Sequence, residues 1–204
     1  MLAAVILSAG ESSRMGSPKA LLPLRGKTFL GHLLDITRST PARAAGIGAI
    51  RVVLGAHPEK IAAAAALDSE ITVINPDWER GQLSSIQAAI RSLPPDAIDG
   101  IMLFLVDHPL ISVALVEKLA AEFYRSGRAI VLPTFGGKRG HPVIFAQRLF
   151  GELLAAPAKQ GARAVVWAHA AEVLEVATGE EGVLLNLNDP ETLRRALLNA
   201  ADQI

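Results

Sequence analysis

"LAAVILSAGESSRMGSPKALLPL", Leu2 to Leu24, changes character between Leu7 and Ser8. Six apolar residues, Leu2-Ala3-Ala4-Val5-Ile6-Leu7, give way to a run of small, polar and cationic ones that extends to Lys19. An apolar run of that length without polar alternation reads as a strand buried on both faces, as in a parallel sheet. Ligands of open α/β sheets sit at the carboxyl ends of such strands. The loop from Ser8 to Lys19 is therefore the first place to look for chemistry.

Working outward, short apolar runs of strand length alternate with longer stretches of helical period, the pattern of β-α-β units around a mostly parallel sheet. Strands are predicted at Leu2 to Leu7, Ile50 to Leu54, Ile71 to Ile74, Ile101 to Val106 and Ala129 to Pro133. Further strands are expected near Pro142 to Phe145, Val173 to Val176 and Val183 to Leu187. The helical period covers Thr28 to Arg38, Pro58 to Leu67, Ser84 to Leu93, Ser112 to Tyr124, Ala146 to Ala155, Ala162 to Ala170 and Pro190 to Ala200. Thr28, Ser84, Ser112 and Asp189 stand where a short oxygen side chain caps a first turn. Ser39 to Gly48 reads as a loop, and "TFGGKRG", Thr134 to Gly140, as a mobile cationic hairpin or flap.

The bulk properties narrow the function. The chain has 204 residues, 50% hydrophobic and 20% charged, enough for one globular domain over residues 1–204. Twenty basic residues balance twenty acidic ones, which argues against a protein that holds nucleic acid through its phosphates. No cysteine is present, so disulfides, thiolate metal sites and a cysteine nucleophile are excluded. No secretory leader pattern and no apolar run near the ~18 residues of a membrane span are found, pointing to a soluble cytoplasmic protein without a membrane partner.

The loop itself suits phosphate. Gly10 and Gly16 let the backbone approach a ligand closely, and exposed N–H groups in such a loop form an anion nest. Ser8, Ser12 and Ser13 add hydroxyls, while Arg14 supplies a planar fork and Lys19 a compact charge. On these residues alone a plain polar connection accounts for the loop equally well. A Walker loop is ruled out because Ser17-Pro18-Lys19 follows Gly16. A dinucleotide fingerprint fails as well, since Gly10 to Gly16 lacks G-x-G-x-x-G.

Leu7-Ser8-Ala9-Gly10-Glu11-Ser12-Ser13-Arg14-Met15-Gly16-Ser17-Pro18-Lys19 resembles the signature loop of the nucleotidyltransferases related to MobA, L-A-[AG]-G-x-S-x-R-[ML]-G-x-x-K. Ser8 stands in place of the usual Ala. Four more stations of that family follow in order. Asp107-His108-Pro109 matches its D-x-P, with His108 at the variable middle position, read as structural. Trp78, Gly81, Ser84 and Ser85 match W-x-x-G-[ML]-x-x-S-[LI], although Trp78 taken alone reads as core. Gly137 to Phe145, "GKRGHPVIF", matches G-x-x-G-H-P-[VL]-[LIF]-F, and "LLNLNDPETL" resembles [DN]-[IL]-[DN]-T-P-E-[DE]-L. In this last motif both Asp-or-Asn positions, Asn186 and Asn188, are Asn, and Asp189 replaces Thr.

The resemblance implies a three-layer α/β/α, Rossmann-like nucleotidyltransferase domain with a mostly parallel sheet and a small flap hairpin. It implies a catalytic set of Arg14, Lys19 and Asp107, and a nucleotide site of Leu7, Ser8, Ala9, Gly10, Ser12, Gly16, Trp78, Gly81, Ser84 and Ser85. Lys138, Arg139, Gly140, His141 and Pro142 would hold the acceptor. Mg²⁺ would sit on Asp107, a chemically sufficient lone carboxylate when phosphates share the ion, completed by Asn188, with Asn186 and Asp189 as competing ligands. The Ser8-Ala9-Gly10 triplet and the Gly140-His141-Pro142 flap lie nearer the cytidylyltransferase group, called MocA, than the GTP-using MobA itself. The substrates implied are CTP, or alternatively GTP, and a molybdopterin-type phosphate acceptor. A molybdenum hydroxylase apo-enzyme of xanthine dehydrogenase type would be the partner. Transfer to a sugar or other small phosphate, and a non-catalytic cofactor chaperone, are the alternatives.

Overall fold

The computed structural model describes residues 1–94 and 96–201. At its centre is β1, Leu2–Ser8, every residue of which is buried. It pairs in parallel with β4, Ile47–Leu54, on one side and β6, Gly100–Leu105, on the other. The sheet extends outward through β5, Thr72–Ile74, and on the opposite side through β9, Val143–Ala146, β7, Ile130–Phe135, and β10, Val173–Ala177. Its order is β10-β7-β9-β6-β1-β4-β5. Only β9 and the short flap strand β8, Lys138–Arg139, run antiparallel to their neighbours in it, and β2, Pro23–Leu24, pairs antiparallel with β3, Lys27–Thr28, as a separate two-stranded sheet. The flap is a tight hairpin, with Gly136 and Gly137 both in the left-handed region between β7 and β8.

Alternation along β1 shows why the run is apolar throughout. Leu2, Ala4 and Ile6 point to one face and Ala3, Val5 and Leu7 to the other, each set entering a separate hydrophobic cluster. The first face is covered by α1, Phe29–Arg38, α3, Pro58–Ala64, and α5, Val113–Ser126. Phe29, Leu33, Ile61, Val116 and Leu119 fill that layer. The second face is covered by α4, Gln82–Arg91, α6, Phe150–Ala155, and α7, Arg163–Ala168, through Ile86, Ala89, Leu153 and Val165. The result is the expected α/β/α layering, with a final helix α8, Pro190–Ala201, placing Ala196 in the first cluster.

Thr28, Ser112 and Asp189 cap as predicted: their side chains accept from the backbone N–H of Gly31, Leu115 and Thr192. Ser84 does not cap. The α4 helix starts two residues earlier, after Gly81, and Ser84 sits inside its first turn. The expected loop from Ser39 to Gly48 contains a short helix α2, Thr40–Ala44, which Ser39 caps through Ala42 N–H and Pro41 opens.

Val183 to Leu187 is not a strand. The segment begins in a 3₁₀ turn, Glu181–Val183, and continues as irregular chain, though Val183 and Leu187 are fully buried. A short apolar run reports burial without reporting conformation. Here the burial comes from packing against the chain that leads into α5: a β-carbon on Gly182 would fall 1.6 Å from the Leu110 carbonyl oxygen. This close approach brings the C-terminal segment across the carboxyl end of β6, where the candidate site lies.

Candidate functional site

The loop after β1 and the loop after β6 wall a cleft of about 410 Å³ at the carboxyl edge of the sheet, closed on one side by the amino end of α4. Ala9 ties the first loop to β4: its carbonyl accepts from Ala56 N–H at 3.0 Å. Gly55 allows this approach, because a β-carbon there would stand 2.6 Å from the Ala9 oxygen and 2.4 Å from Trp78 Cβ. The loop is stapled internally by Ser12, a left-handed residue whose Oγ accepts from Lys19 N–H at 3.0 Å. On the far side, buried Asn75 donates to Ser84 Oγ at 2.9 Å and Ser85 Oγ at 3.0 Å, and its own Oδ1 accepts from Asp77 N–H. The first turn of α4 is thereby held with its N–H groups at the cleft.

A charged centre forms the cleft floor. Asp107 follows the end of β6, and its Oδ2 lies 3.1 Å from Lys19 Nζ. Lys19 Nζ also donates to Asn188 Oδ1. The other Asp107 oxygen, Oδ1, lies 3.0 Å from His108 Nδ1, and the Asp107 carbonyl accepts from Leu187 N–H at 2.8 Å. Loop, strand end and C-terminal segment thus meet around one residue, Asp107. Burial pushes the Asp107 carboxyl up, but the His108 hydrogen bond and the Lys19 charge outweigh it, and the group lies below its ordinary value. Next to it, His141 is pushed down to about 4 by burial and by the neighbouring His108, so its imidazole is neutral at pH 7. The His108 and His141 rings are 5.2 Å apart, centroid to centroid.

The MobA-like NTP transferase domain matches residues 4–173. The chain belongs to that family. It is 33% identical over 148 residues to nicotine blue oxidoreductase of Paenarthrobacter nicotinovorans, covering 69% of this chain and 68% of that one. It is 32% identical over 135 residues to the bifunctional protein GlmU of Kineococcus radiotolerans, a match to 65% of this chain but 26% of GlmU. Among solved structures, Rv0371c from Mycobacterium tuberculosis is 30% identical with a TM-score of 0.82, covering 97% of this chain and 98% of the other. A manganese complex of Rv0371c superposes with a TM-score of 0.77 at 28% identity, over 97% and 98% of the two chains.

In this MobA-like NTP transferase, Leu7, Ser8, Ala9, Gly10, Ser12, Lys19, Trp78, Gly81, Ser85 and Asp107 all line the cleft. Gly16 and Ser84 do not: Gly16 ends the 3₁₀ turn Ser13–Met15, and Ser84 Oγ is held within 2.8 and 2.9 Å of the Gly81 and Asp77 carbonyls. The Arg14 side chain lies outside the described residues. Of the expected acceptor group, His141 reaches the centre through His108, with its N–H donated to Val183 and Gly140 N–H donated to Pro133. The His141–Pro142 bond is cis. Lys138 and Arg139 are exposed on β8 away from the cleft, and Arg139 is engaged with Glu175 of β10 at 2.7 Å.

The centre has the chemistry of a divalent-cation site. One ionised carboxylate and one amide oxygen, Asp107 and Asn188, already converge on a single cation, the Lys19 ammonium. Among the described residues no three His, Asp or Glu side chains cluster tightly enough to hold a metal by themselves. Sequence reasoning missed Ile61, Glu79 and Gln82, which also line the cleft, and the positioning pair Gly55 and Asn75. Gln82 was recoverable as the residue opening the helix behind Gly81. Ile61 carried no signal beyond helical period. No helix of the described residues is long and apolar enough to cross a membrane.

Proposed function

We propose that this nucleotidyltransferase moves CMP from CTP to the phosphate of a molybdopterin-type cofactor and releases pyrophosphate. The observation that carries the reading is the Lys19–Asp107 pair in a cleft walled by the Ala9–Lys19 loop and lined by Asn186, with Asn188 bonded to Lys19. An acceptor phosphate oxygen attacks the α-phosphorus in line. The new O–P bond forms as the bond to the β-phosphate oxygen breaks, and pyrophosphate leaves with the electron pair. No protein nucleophile takes part, so the chain's work is positioning and charge neutralisation.

Lys19, together with Arg14, follows the charge that develops on the transferring and leaving phosphoryl oxygens. Asp107 and Asn188 would hold a divalent cation, which when bound neutralises the phosphates further. A magnesium ion suits these oxygen donors. Loop N–H groups and the amino end of α4 receive the triphosphate and ribose. Ala9 lines the cleft, and its methyl in place of hydrogen would narrow a base pocket there, which supports a pyrimidine over guanine. His141 stands neutral beside the centre on the acceptor side. The cytidine dinucleotide product would then serve a molybdenum hydroxylase apo-enzyme of xanthine dehydrogenase type.

A second reading, an oxidoreductase acting on a dye-like substrate, is suggested by one observation, the name of the 33% identical nicotine blue oxidoreductase. One assay separates the two. The protein is incubated with molybdenum cofactor, Mg²⁺ or Mn²⁺, and either CTP or GTP, and pyrophosphate and the dinucleotide are measured. Cytidine dinucleotide from CTP is the expected product. Guanine dinucleotide from GTP overturns the base choice. Pyrophosphate only with a sugar phosphate as acceptor moves the reading to that substrate. Tight pterin binding without turnover makes the protein a chaperone, and, in a parallel reaction without CTP or GTP, oxidation of added NADH or NADPH coupled to reduction of an added dye acceptor supports the second reading.

A further inference from the structure

Each oxygen of the Asp107 carboxylate has its own partner. Oδ2 faces Lys19 Nζ at 3.1 Å, on the cleft side, and Oδ1 faces His108 Nδ1 at 3.0 Å. His108 is 7% exposed, its backbone N–H is donated to Leu105 at the end of β6, and its ring packs beside that of His141. The His108 ring folds back on the carboxylate it follows.

The geometry points to His108 as the positioning residue of Asp107: its Nδ1–H, donated to Oδ1, fixes the carboxylate rotamer and leaves Oδ2 as the oxygen aimed at the cation. This rests on the proposed role of Asp107 as metal ligand. A carboxylate on a turn rotates about two side-chain bonds, and a single contact to a long lysine does not hold it. The second hydrogen bond, from a short and buried neighbour, removes that freedom before the ion arrives. Partners that orient a metal ligand in this way change metal affinity about 10- to 100-fold when removed. The ring also requires the tautomer with its proton on Nδ1, the one a carboxylate acceptor selects. Packed at 5.2 Å, His141 backs the ring and limits its movement.

The test is titration of Mn²⁺ into the protein, free ion being read by its electron paramagnetic resonance signal, for the unaltered chain, His108→Phe and His108→Asn. Phe keeps the ring packed on His141 and removes the donor; Asn removes the ring and keeps a donor at the Nδ1 position. Affinity for Mn²⁺ is expected to fall about tenfold or more in His108→Phe and to return most of the way in His108→Asn. Should Phe not be accommodated, His108→Leu reads the same loss of donor in a smaller side chain. Unchanged affinity in the Phe or Leu variant overturns the inference. So does an Asn variant as weak as Phe, which would make the ring's packing the feature that counts. If the unaltered chain itself fails to take up Mn²⁺, the metal role of Asp107 falls first and this inference with it.

Discussion

Lys19 Nζ stands 3.1 Å from Asp107 Oδ2 although 88 positions separate them in the chain. The pair joins the loop after β1 to the end of β6, and both side chains are about five-sixths buried, with 17% and 16% exposure. A lysine so placed can pass from the carboxylate to an arriving phosphate without leaving the cleft. Lys19→Met is expected to lower kcat by about 10²-fold or more, the cost of removing one preorganised donor to developing charge. Steady-state pyrophosphate release gives the number. Lys19→Arg is expected to recover little, because the centre fits a compact ammonium against two oxygens.

Asp107→Ala removes the carboxylate that contacts Lys19, and it should abolish turnover and Mn²⁺ binding together while the fold persists. The fold is expected to persist because the Asp107 backbone carbonyl still accepts from Leu187 N–H, the loss of the side-chain contacts lowering stability without unfolding the chain. Circular dichroism and a binding isotherm on the same preparation check both halves. An active variant would sink the metal-ligand role.

Gly55 is where β4 delivers its chain to the cleft with no room for a side chain. Gly55→Ala places a methyl group against Trp78 Cβ and the Ala9 oxygen, so the loop, the tryptophan or both must shift. The expected outcome is a raised KM for the nucleoside triphosphate, with a destabilisation of about 1–3 kcal/mol from overpacking. Kinetics and urea unfolding report the two effects separately.

Ala9→Gly tests base choice. The substitution deletes one methyl from the cleft wall, and one methyl group discriminates substrates by about 10- to 200-fold at most. The ratio of kcat/KM for CTP to that for GTP should fall within that range, by competition of the two triphosphates in one tube. A ratio that does not move would assign base selection to other residues.

The layering was legible because β1 and its neighbours are apolar on both faces, a pattern that parallel sheets produce and few other structures do. The cleft was legible for the same reason: a polar, glycine-bearing loop after such a strand has one place to go. What was not legible depends on contacts between distant segments. Val183 and Leu187 are as buried as strand residues, and only the approach of Gly182 to Leu110 shows why they are not a strand. Likewise, Arg139 in a glycine-rich flap suggests an anion site until β10 is seen to present Glu175 beside it. Asn75 and Gly55 carry no chemistry of their own, and their importance exists only in the folded arrangement.

His141 sets a pH dependence whose sign follows from its neutrality. Its pKa is pushed down from 6.5 to about 4, so between those values the unfolded chain binds a proton that the folded chain does not. Stability therefore rises with pH across that window and is lost on acidification from 6.5 toward 4, by about 3 kcal/mol in total. Below that the loss levels off. Asp107 acts in a different window: its lowered carboxyl contributes stability above 3.8 that disappears only as pH falls through its folded value. Urea unfolding at intervals from pH 7 to 4 should show a downward slope in the unaltered chain that His141→Gln flattens, since glutamine cannot charge. Equal slopes in the two would mean that His141 accepts its proton in the folded state without penalty, and that the buried, neutral imidazole beside His108 is not what the acid limb reports.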